Sequence, residues 1–280
     1  MEENKPLVSV ILTCYNRENY IRRSLESIIN QTYTNLEIVV VDDCSTDNSV
    51  EIIKSYDDKR IKLVCLDINR GIGIAKKTGG DNSSGEYLCF LDSDDYLKND
   101  YVELNINKAL EGDYDLIIGR KFLSRFTKEN LEAEFTFSPH SYNVINSMFL
   151  SRKLYTKINF SSLRLFEDRG TLPRLFYYSK GKVGFIPISP YVWVLNTNSA
   201  VIKGDFSKKA FYTCLSMLEN IEYFSKVDPI FLNELLYNKD NILKFHTKLV
   251  IRKADQLKEK YPEDWNKYIT YINSLNSNSE

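Results

Sequence analysis

Residues 88–95 read Leu88-Cys89-Phe90-Leu91-Asp92-Ser93-Asp94-Asp95, an apolar run that ends abruptly in three carboxylates. A mostly apolar run fits a strand covered on both faces. Asp92, Asp94 and Asp95 are then expected to emerge together at its carboxyl end, where open α/β sheets hold their ligands. Clustered carboxylates repel one another unless a cation neutralises them, and all-oxygen ligands favour a hard ion, Mg²⁺ or Mn²⁺. Such ions usually arrive with phosphates. The competing reading is a helix start, because aspartate caps helices and suits the positive end of the helix dipole.

Outward from this stretch, residues 36–43 form a second apolar run ending in Asp42 and Asp43, after which Ser45, Thr46 or Asp47 is available to cap a helix. A third apolar run, Leu7 to Cys14, precedes Tyr15, Asn16 and Arg17, and then Ile21, Leu25, Ile28 and Ile29 recur at helical spacing. Residues 60–66 supply another strand before Asn69-Arg70-Gly71. The order strand, helix, strand, helix, strand, strand predicts an α/β fold with a mostly parallel sheet flanked by helices and right-handed crossovers.

Other nucleotide folds share this outline and fail on their own motifs. Gly71-Ile72-Gly73 begins like a dinucleotide fingerprint, but Lys76 stands where the third glycine belongs, and no acidic strand end follows at the required distance. The chain has no G-x-x-x-x-G-K-[ST] phosphate loop and no G-x-S-x-G nucleophile elbow.

Taken together, residues 7–95 resemble the nucleotide-sugar-binding half of the family-2 glycosyltransferases, inverting enzymes of GT-A fold. The resemblance rests on ordered motifs: Val8 to Asn16, Ser27 to Thr32 with Gln31, Glu37 to Asp43 with Ser45-Thr46-Asp47, Asn69-Arg70-Gly71, Gly85-Glu86-Tyr87 and Leu91 to Asp95. It implies that Thr13, Tyr15 and Asn16 line the base pocket and that Asp42 or Asp43 accepts from the imide N–H of a pyrimidine. It also implies that Asn69, Lys76 and Ser93 belong to the donor site. Asp92 would meet the ribose or the metal, Asp94 would bind the metal, and Asp95 would orient or cap. The catalytic base falls in the pair Glu167-Asp168, with Asp168 deprotonating an acceptor hydroxyl and Glu167 steering nearby groups. The plain alternative is that this pair opens a helix whose apolar face is Leu172, Leu175 and Phe176.

The chain departs from the family pattern in places. Val194 stands where the family often has a basic residue that reaches the diphosphate, and Lys76 where it commonly has arginine, which loses the planar fork. Arg70, Arg169, Arg174 and Lys203 are the candidates to compensate. Val194 also motivates a rival reading, a non-catalytic GT-A-like protein that binds nucleotide or a partner. A nucleotidyltransferase is a further rival, weakened by the lack of a glycine-rich triphosphate loop at the first strand.

Composition agrees with a cytoplasmic enzyme. Of the 280 residues 43% are apolar, enough for a substantial core, and a net charge of −1 argues against a dedicated nucleic-acid binder. Five cysteines without C-x-x-C spacing, three of them (Cys14, Cys65, Cys89) on expected buried strands, read as reduced core residues. The acidic-polar start has no signal-peptide pattern, and no run approaches the length needed to span a bilayer. Residues 1–115 are expected to form the donor half and 116–205 the acceptor half, whose Phe135, Phe137, Tyr142, Tyr177 and Tyr178 are sugar-stacking candidates or simply core. Residues 206–272, without glycine and broken near Pro229 and Pro262, read as a C-terminal helical extension, with 273–280 a disordered tail. Residues 239–260 hold seven basic against three acidic residues. That makes them an ordinary solvated helix face or a peripheral contact with the inner face of the cell membrane. The partners implied by the resemblance are a nucleotide-sugar donor, UDP-sugar favoured, and a glycan or lipid-linked glycan acceptor in bacterial surface polysaccharide synthesis.

Overall fold

A computed structural model describes residues 5–119, 122–125, 136–137, 148–164, 167–187, 189–195, 206–231, 250 and 254–277. The first half alternates β1 (Val8–Cys14), α1 (Ile21–Ile29), β2 (Leu36–Asp42), α2 (Ser49–Lys54), β3 (Ile61–Cys65), α3 (Ile72–Asp81) and β4 (Tyr87–Asp92). After β5 (Tyr96–Leu97) and α4 (Tyr101–Glu111) come β6 (Leu116–Gly119), β7 (Phe122–Arg125), β8 (Thr136–Phe137), β9 (Met148–Ser151) and α5 (Arg152–Tyr155). Then follow α6 (Glu167–Ser179), β10 (Val183–Ile186), β11 (Tyr191–Leu195), α7 (Phe206–Val227), α8 (Ala254–Lys260) and α9 (Pro262–Ser277).

A seven-stranded sheet runs β10-β6-β9-β4-β1-β2-β3, and a smaller one runs β5-β11-β7-β8. In the large sheet every neighbouring pair is parallel except those of β9, which runs antiparallel to both β4 and β6. All seven residues of β1 are buried, as its unbroken apolar reading requires of a central strand. Alternate residues feed two cores. Val10, Leu12, Ile38, Val40 and Leu91 meet Ile21, Leu25 and Ile28 of α1 and Val102 and Ile106 of α4. Ile11, Val39, Val41 and Phe90 meet Ala75, Leu154, Phe160 and Leu175 on the opposite face. Each such side chain is worth about 1.5–3 kcal/mol on burial, so the central strands anchor the fold.

The sequence order placed β3 and β4 in succession, whereas α3 stands between them. Its pattern hides it, because Gly73, Gly79 and Gly80 are poor helix formers. They are there for close approach: a Cβ on Gly79 would lie 2.3 Å from Ile11 Cγ2, and one on Gly73 2.5 Å from the Leu163 carbonyl oxygen. Cys65 is a second correction. It is exposed, because β3 is the edge of the large sheet, whereas Cys14 and Cys89 are buried as expected. A third concerns residues 273–277, which extend α9 instead of forming a tail. Once Trp265 and Tyr268 fix the helix against α7, continuing it adds a hydrogen bond per residue at little cost.

The C-terminal helices have a core of their own, built from Phe211, Leu215, Leu218, Val250, Leu257 and Tyr268 and entered by Leu163. Helix α7 stops just before Asp228-Pro229, and Pro262 opens α9, where a missing N–H costs nothing. Of the basic run, Lys239, Lys244, Lys248, Arg252 and Lys253 lie outside the described residues, as do Lys203 and the side chains of Phe135, Phe137 and Tyr142. Among the described residues, no helix is long and apolar enough to cross a membrane.

Candidate functional site

The carboxyl ends of β1, β2 and β4 converge on one edge of the large sheet, with Cys14 paired to Asp42 and Thr13 to Asp92. The loop after β4 is held from below by α1. Ser24 interrupts the apolar stripe of that helix, and its hydroxyl donates to the carbonyls of Ser93 (2.8 Å) and Asp95 (2.5 Å). Arg23 donates to the Asp94 carbonyl at 2.6 Å. One and two turns on, the Ser27 hydroxyl accepts from the Leu97 N–H, while the Gln31 amide donates to the Lys98 carbonyl and accepts from the Val102 N–H. The Ser27-to-Gln31 motif is thus a cradle for the acidic loop, with Ser24 a member that sequence reading missed.

The carboxylates divide the work. Asp95 is buried, accepting from Tyr191 Oη at 2.5 Å and from the Val194 N–H at 2.9 Å, and so ties the loop to β11 of the small sheet. Burial, reinforced by the charges of Asp94 and Asp92, raises its carboxyl well above the usual range. Val194 is itself buried and acts through its backbone, which accounts for an apolar residue there. Asp92 and Asp94 keep side-chain exposures of 25% and 16% and face cations: Lys76 Nζ is 3.4 Å from Asp92, and Arg17 Nη2 is 3.7 Å from Asp94. Thr13 Oγ1 donates to Asp92 at 3.4 Å. The helix-cap reading of this cluster fails, because β5 follows it and α4 begins only at Tyr101.

Lys76 joins the two halves of the site. It is 2% exposed, and its ammonium donates to Glu167 Oε1 at 2.7 Å while facing Asp92. Burial alone would lower its pKa, but the adjacent Asp92 and Glu167 carboxylates outweigh that and push it above the ordinary lysine value. Glu167 and Asp168 occupy the first turn of α6, where negative charge suits the helix dipole. The pair therefore does open a helix: Leu172 and Leu175 are buried beneath that turn, whereas Phe176 points outward. Glu167 is buried on Lys76, and Asp168 is half-buried, accepting from the Arg169 N–H at 2.8 Å.

Just past β1, Tyr15 is 43% exposed. Asn16 adopts φ 51°, its N–H donating to Ser45 Oγ and its Oδ1 accepting from the Thr46 N–H. Asp42 accepts from the Ser45 N–H at 2.8 Å and its hydroxyl at 2.5 Å. Asp43 accepts from the N–H groups of Arg70 (2.7 Å) and Gly71 (2.8 Å). Both carboxylates are buried, as is Ser93. Asn69 accepts through Oδ1 and its carbonyl from Arg164, both at 3.0 Å, another contact that sequence reading missed. The signal lay in Gly71, at φ 89°, where a Cβ would come within 2.7 Å of Arg164 Cγ. Of the cations considered for the diphosphate, Arg174 is 1% exposed, 3.5 Å from Glu219 and stacked on the Tyr223 ring. It is a helix-packing residue. Tyr177 and Tyr178 likewise contact Phe224, Phe231 and Tyr223 between helices.

Among the described residues, no group of three His, Cys, Asp or Glu side chains converges as a self-sufficient metal cage. Two part-exposed carboxylates at a strand end instead suit a Mg²⁺- or Mn²⁺-like ion that completes its shell with phosphate oxygens and water.

The family model described as Glycosyl transferase family 2 matches residues 9–168. The chain is 36% identical over 182 residues to glycosyltransferase GlyA of Streptococcus pneumoniae serotype 4, which covers 63% of this chain and 26% of GlyA. It is 35% identical over 127 residues to the UDP-Glc:alpha-D-GlcNAc-diphosphoundecaprenol beta-1,3-glucosyltransferase WfgD of Escherichia coli, with 43% of this chain and 50% of WfgD covered. It therefore spans about a quarter of one relative and half of the other. The crystal structure of S. aureus TarS 1-349 in complex with UDP-GlcNAc superposes with a TM-score of 0.62 at 19% identity, covering 97% of this chain and 92% of that one. That likeness is one of fold.

Proposed function

This chain belongs to glycosyl transferase family 2, and on that premise we propose that it moves a sugar from a nucleoside diphosphate donor to a glycan hydroxyl with inversion at the anomeric carbon. The observation that carries this reading is the Lys76 bridge. One buried ammonium lies 3.4 Å from Asp92 of the donor motif and 2.7 Å from Glu167, next to Asp168. A UDP-sugar is the favoured donor: WfgD is named for UDP-Glc and TarS was solved with UDP-GlcNAc. The WfgD acceptor is lipid-linked, which supports a lipid-linked glycan here, work at the inner face of the cell membrane, and the basic run 239–260 as the contact to it.

In this reading Thr13, Tyr15, Asn16, Asp42, Asp43 and Asn69 shape the base and ribose pocket, with Ser93 keeping the acidic loop in register. Asp94 and Asp92 would hold a divalent cation, Mn²⁺ or Mg²⁺, which would supply positive charge against the leaving diphosphate. Asp168 removes the proton of the acceptor hydroxyl as it attacks the oxocarbenium-like carbon from the face opposite the diphosphate. Glu167, fixed by Lys76, keeps the helix turn that carries Asp168 against the donor.

The test is nucleotide release and product formation from UDP-, GDP- and dTDP-sugars with Mn²⁺. Asp168→Asn is expected to lower kcat by roughly 10²–10⁴-fold, the usual contribution of a general base, with donor affinity nearly unchanged. An Asp168→Asn enzyme of undiminished kcat, or a product with the donor's anomeric configuration, overturns the mechanism.

A further inference from the structure

The first turn of α6, which holds Glu167 and Asp168, is followed by a proline inside the helix, Pro173. Proline has no N–H, so the bond that residue 173 would give the carbonyl four residues back, that of Arg169, is missing from the helix ladder. Helix α7 supplies a donor at that spot: Asn220 Nδ2 reaches the Arg169 carbonyl at 3.1 Å and the Ser216 carbonyl at 2.9 Å. Both neighbours are carbonyls, which fixes the orientation of the amide. The side chain is 4% exposed, so this is a built contact and not a chance surface one.

The same face of α7 grips the turn twice more. Arg169 Nη1 donates to Thr213 Oγ1 at 3.0 Å. Glu219 Oε2 accepts from Ser161 Oγ at 2.7 Å, packed so closely that a Cβ on Gly170 would lie 2.7 Å from that oxygen. Thr213, Ser216 and Asn220 are all buried and follow at three- and four-residue spacing, a polar stripe on a helix whose neighbouring residues are apolar. Ordinary helix packing needs no such stripe. Thr213 and Asn220 both reach Arg169 on the first turn of α6, while Ser216 Oγ turns back to the Thr213 carbonyl.

We infer that Asn220 is a positioning residue for the reaction. By replacing the N–H that Pro173 lacks, it sets the first turn of α6 and hence the place of Asp168, so that the C-terminal helices complete the active site. This rests on the proposed transferase reading.

The experiment compares Asn220→Ala, Pro173→Ala and the double variant in the full chain. Steady-state kinetics and amide exchange of residues 168–172 are read on each. Asn220→Ala is expected to lower kcat about tenfold, leave the donor KM within about twofold, and speed exchange in that turn. Pro173→Ala restores an N–H to the helix, so the tenfold loss should shrink to about two- or threefold when Asn220→Ala is made in that background. A kcat per folded enzyme unchanged by Asn220→Ala, or an equal loss in both backgrounds, overturns the inference, even if the melting temperature falls. Absence of transfer by the unmodified chain with every donor counts against the transferase reading. Exchange then decides the joint alone, and unaltered exchange at residues 168–172 in Asn220→Ala overturns it.

Discussion

Two strands of the large sheet end in adjacent aspartates, and their fates differ. At the end of β2, Asp42 and Asp43 are buried, and each accepts two hydrogen bonds from the chain: the N–H and hydroxyl of Ser45 for one, the N–H groups of Arg70 and Gly71 for the other. At the end of β4 Asp95 is absorbed in that way, while Asp92 and Asp94 stay part-exposed beside Lys76 and Arg17. The same residue type at equivalent places thus lies buried within loops in one case and stays part-exposed beside cations in the other. Exposure tells the two apart where sequence does not.

The widest separation between the two ends should come from Asp94→Asn. Charge loss there is expected to cut kcat/KM by on the order of 100-fold or more with only a slight change in melting temperature, because the side chain is part-exposed and the amide is of nearly the same size. Steady-state kinetics beside a thermal melt would show it, and a large melting loss with activity intact would merge the two ends into one class.

Asp43→Ala should cost stability as well as donor affinity. Two N–H groups in a part-buried turn lose their acceptor, at a cost of about 1–3 kcal/mol, read as a midpoint lowered by roughly 2–3 °C per kcal/mol. Differential scanning calorimetry is the check.

A smaller effect is expected at Glu37, a third way of using a strand carboxylate. Burial pushes its pKa up, but hydrogen bonds from Ser9, Ser84 and Gly85 together outweigh that and hold it below the ordinary glutamate value. A depressed folded value means stability that is present above the unfolded pKa, about 4.3, and is lost as pH falls through the folded one. Melting curves between pH 5 and pH 2.5 should therefore fall more steeply for the native chain than for Glu37→Gln. Parallel curves would remove the clamp.

Legibility in the sequence followed how local each signal was. The strands β1, β2 and β4 were readable because continuous apolar runs, the last two with acidic ends, need no partner to be recognised. The pair Glu167-Asp168 was readable only through its order after the acidic loop. Helix α3 was not readable, since its glycines answer to Ile11, Tyr155 and Leu163, which are far away in the chain. Ser24, Arg164 and Asn220 escaped for the same reason: each is an unremarkable polar residue until the carbonyl it serves is in view.

The reversed strand β9 has a consequence for how such a protein can change over time. Because it runs against both neighbours, the chain leaves the large sheet at Gly119 and re-enters it at Met148 along the edge where the carboxylates gather. The length of chain between those two points can thereby change while Leu116 stays opposite Leu150 and Cys89 opposite Phe149. The strands that carry the carboxylates can then be inherited intact through such changes.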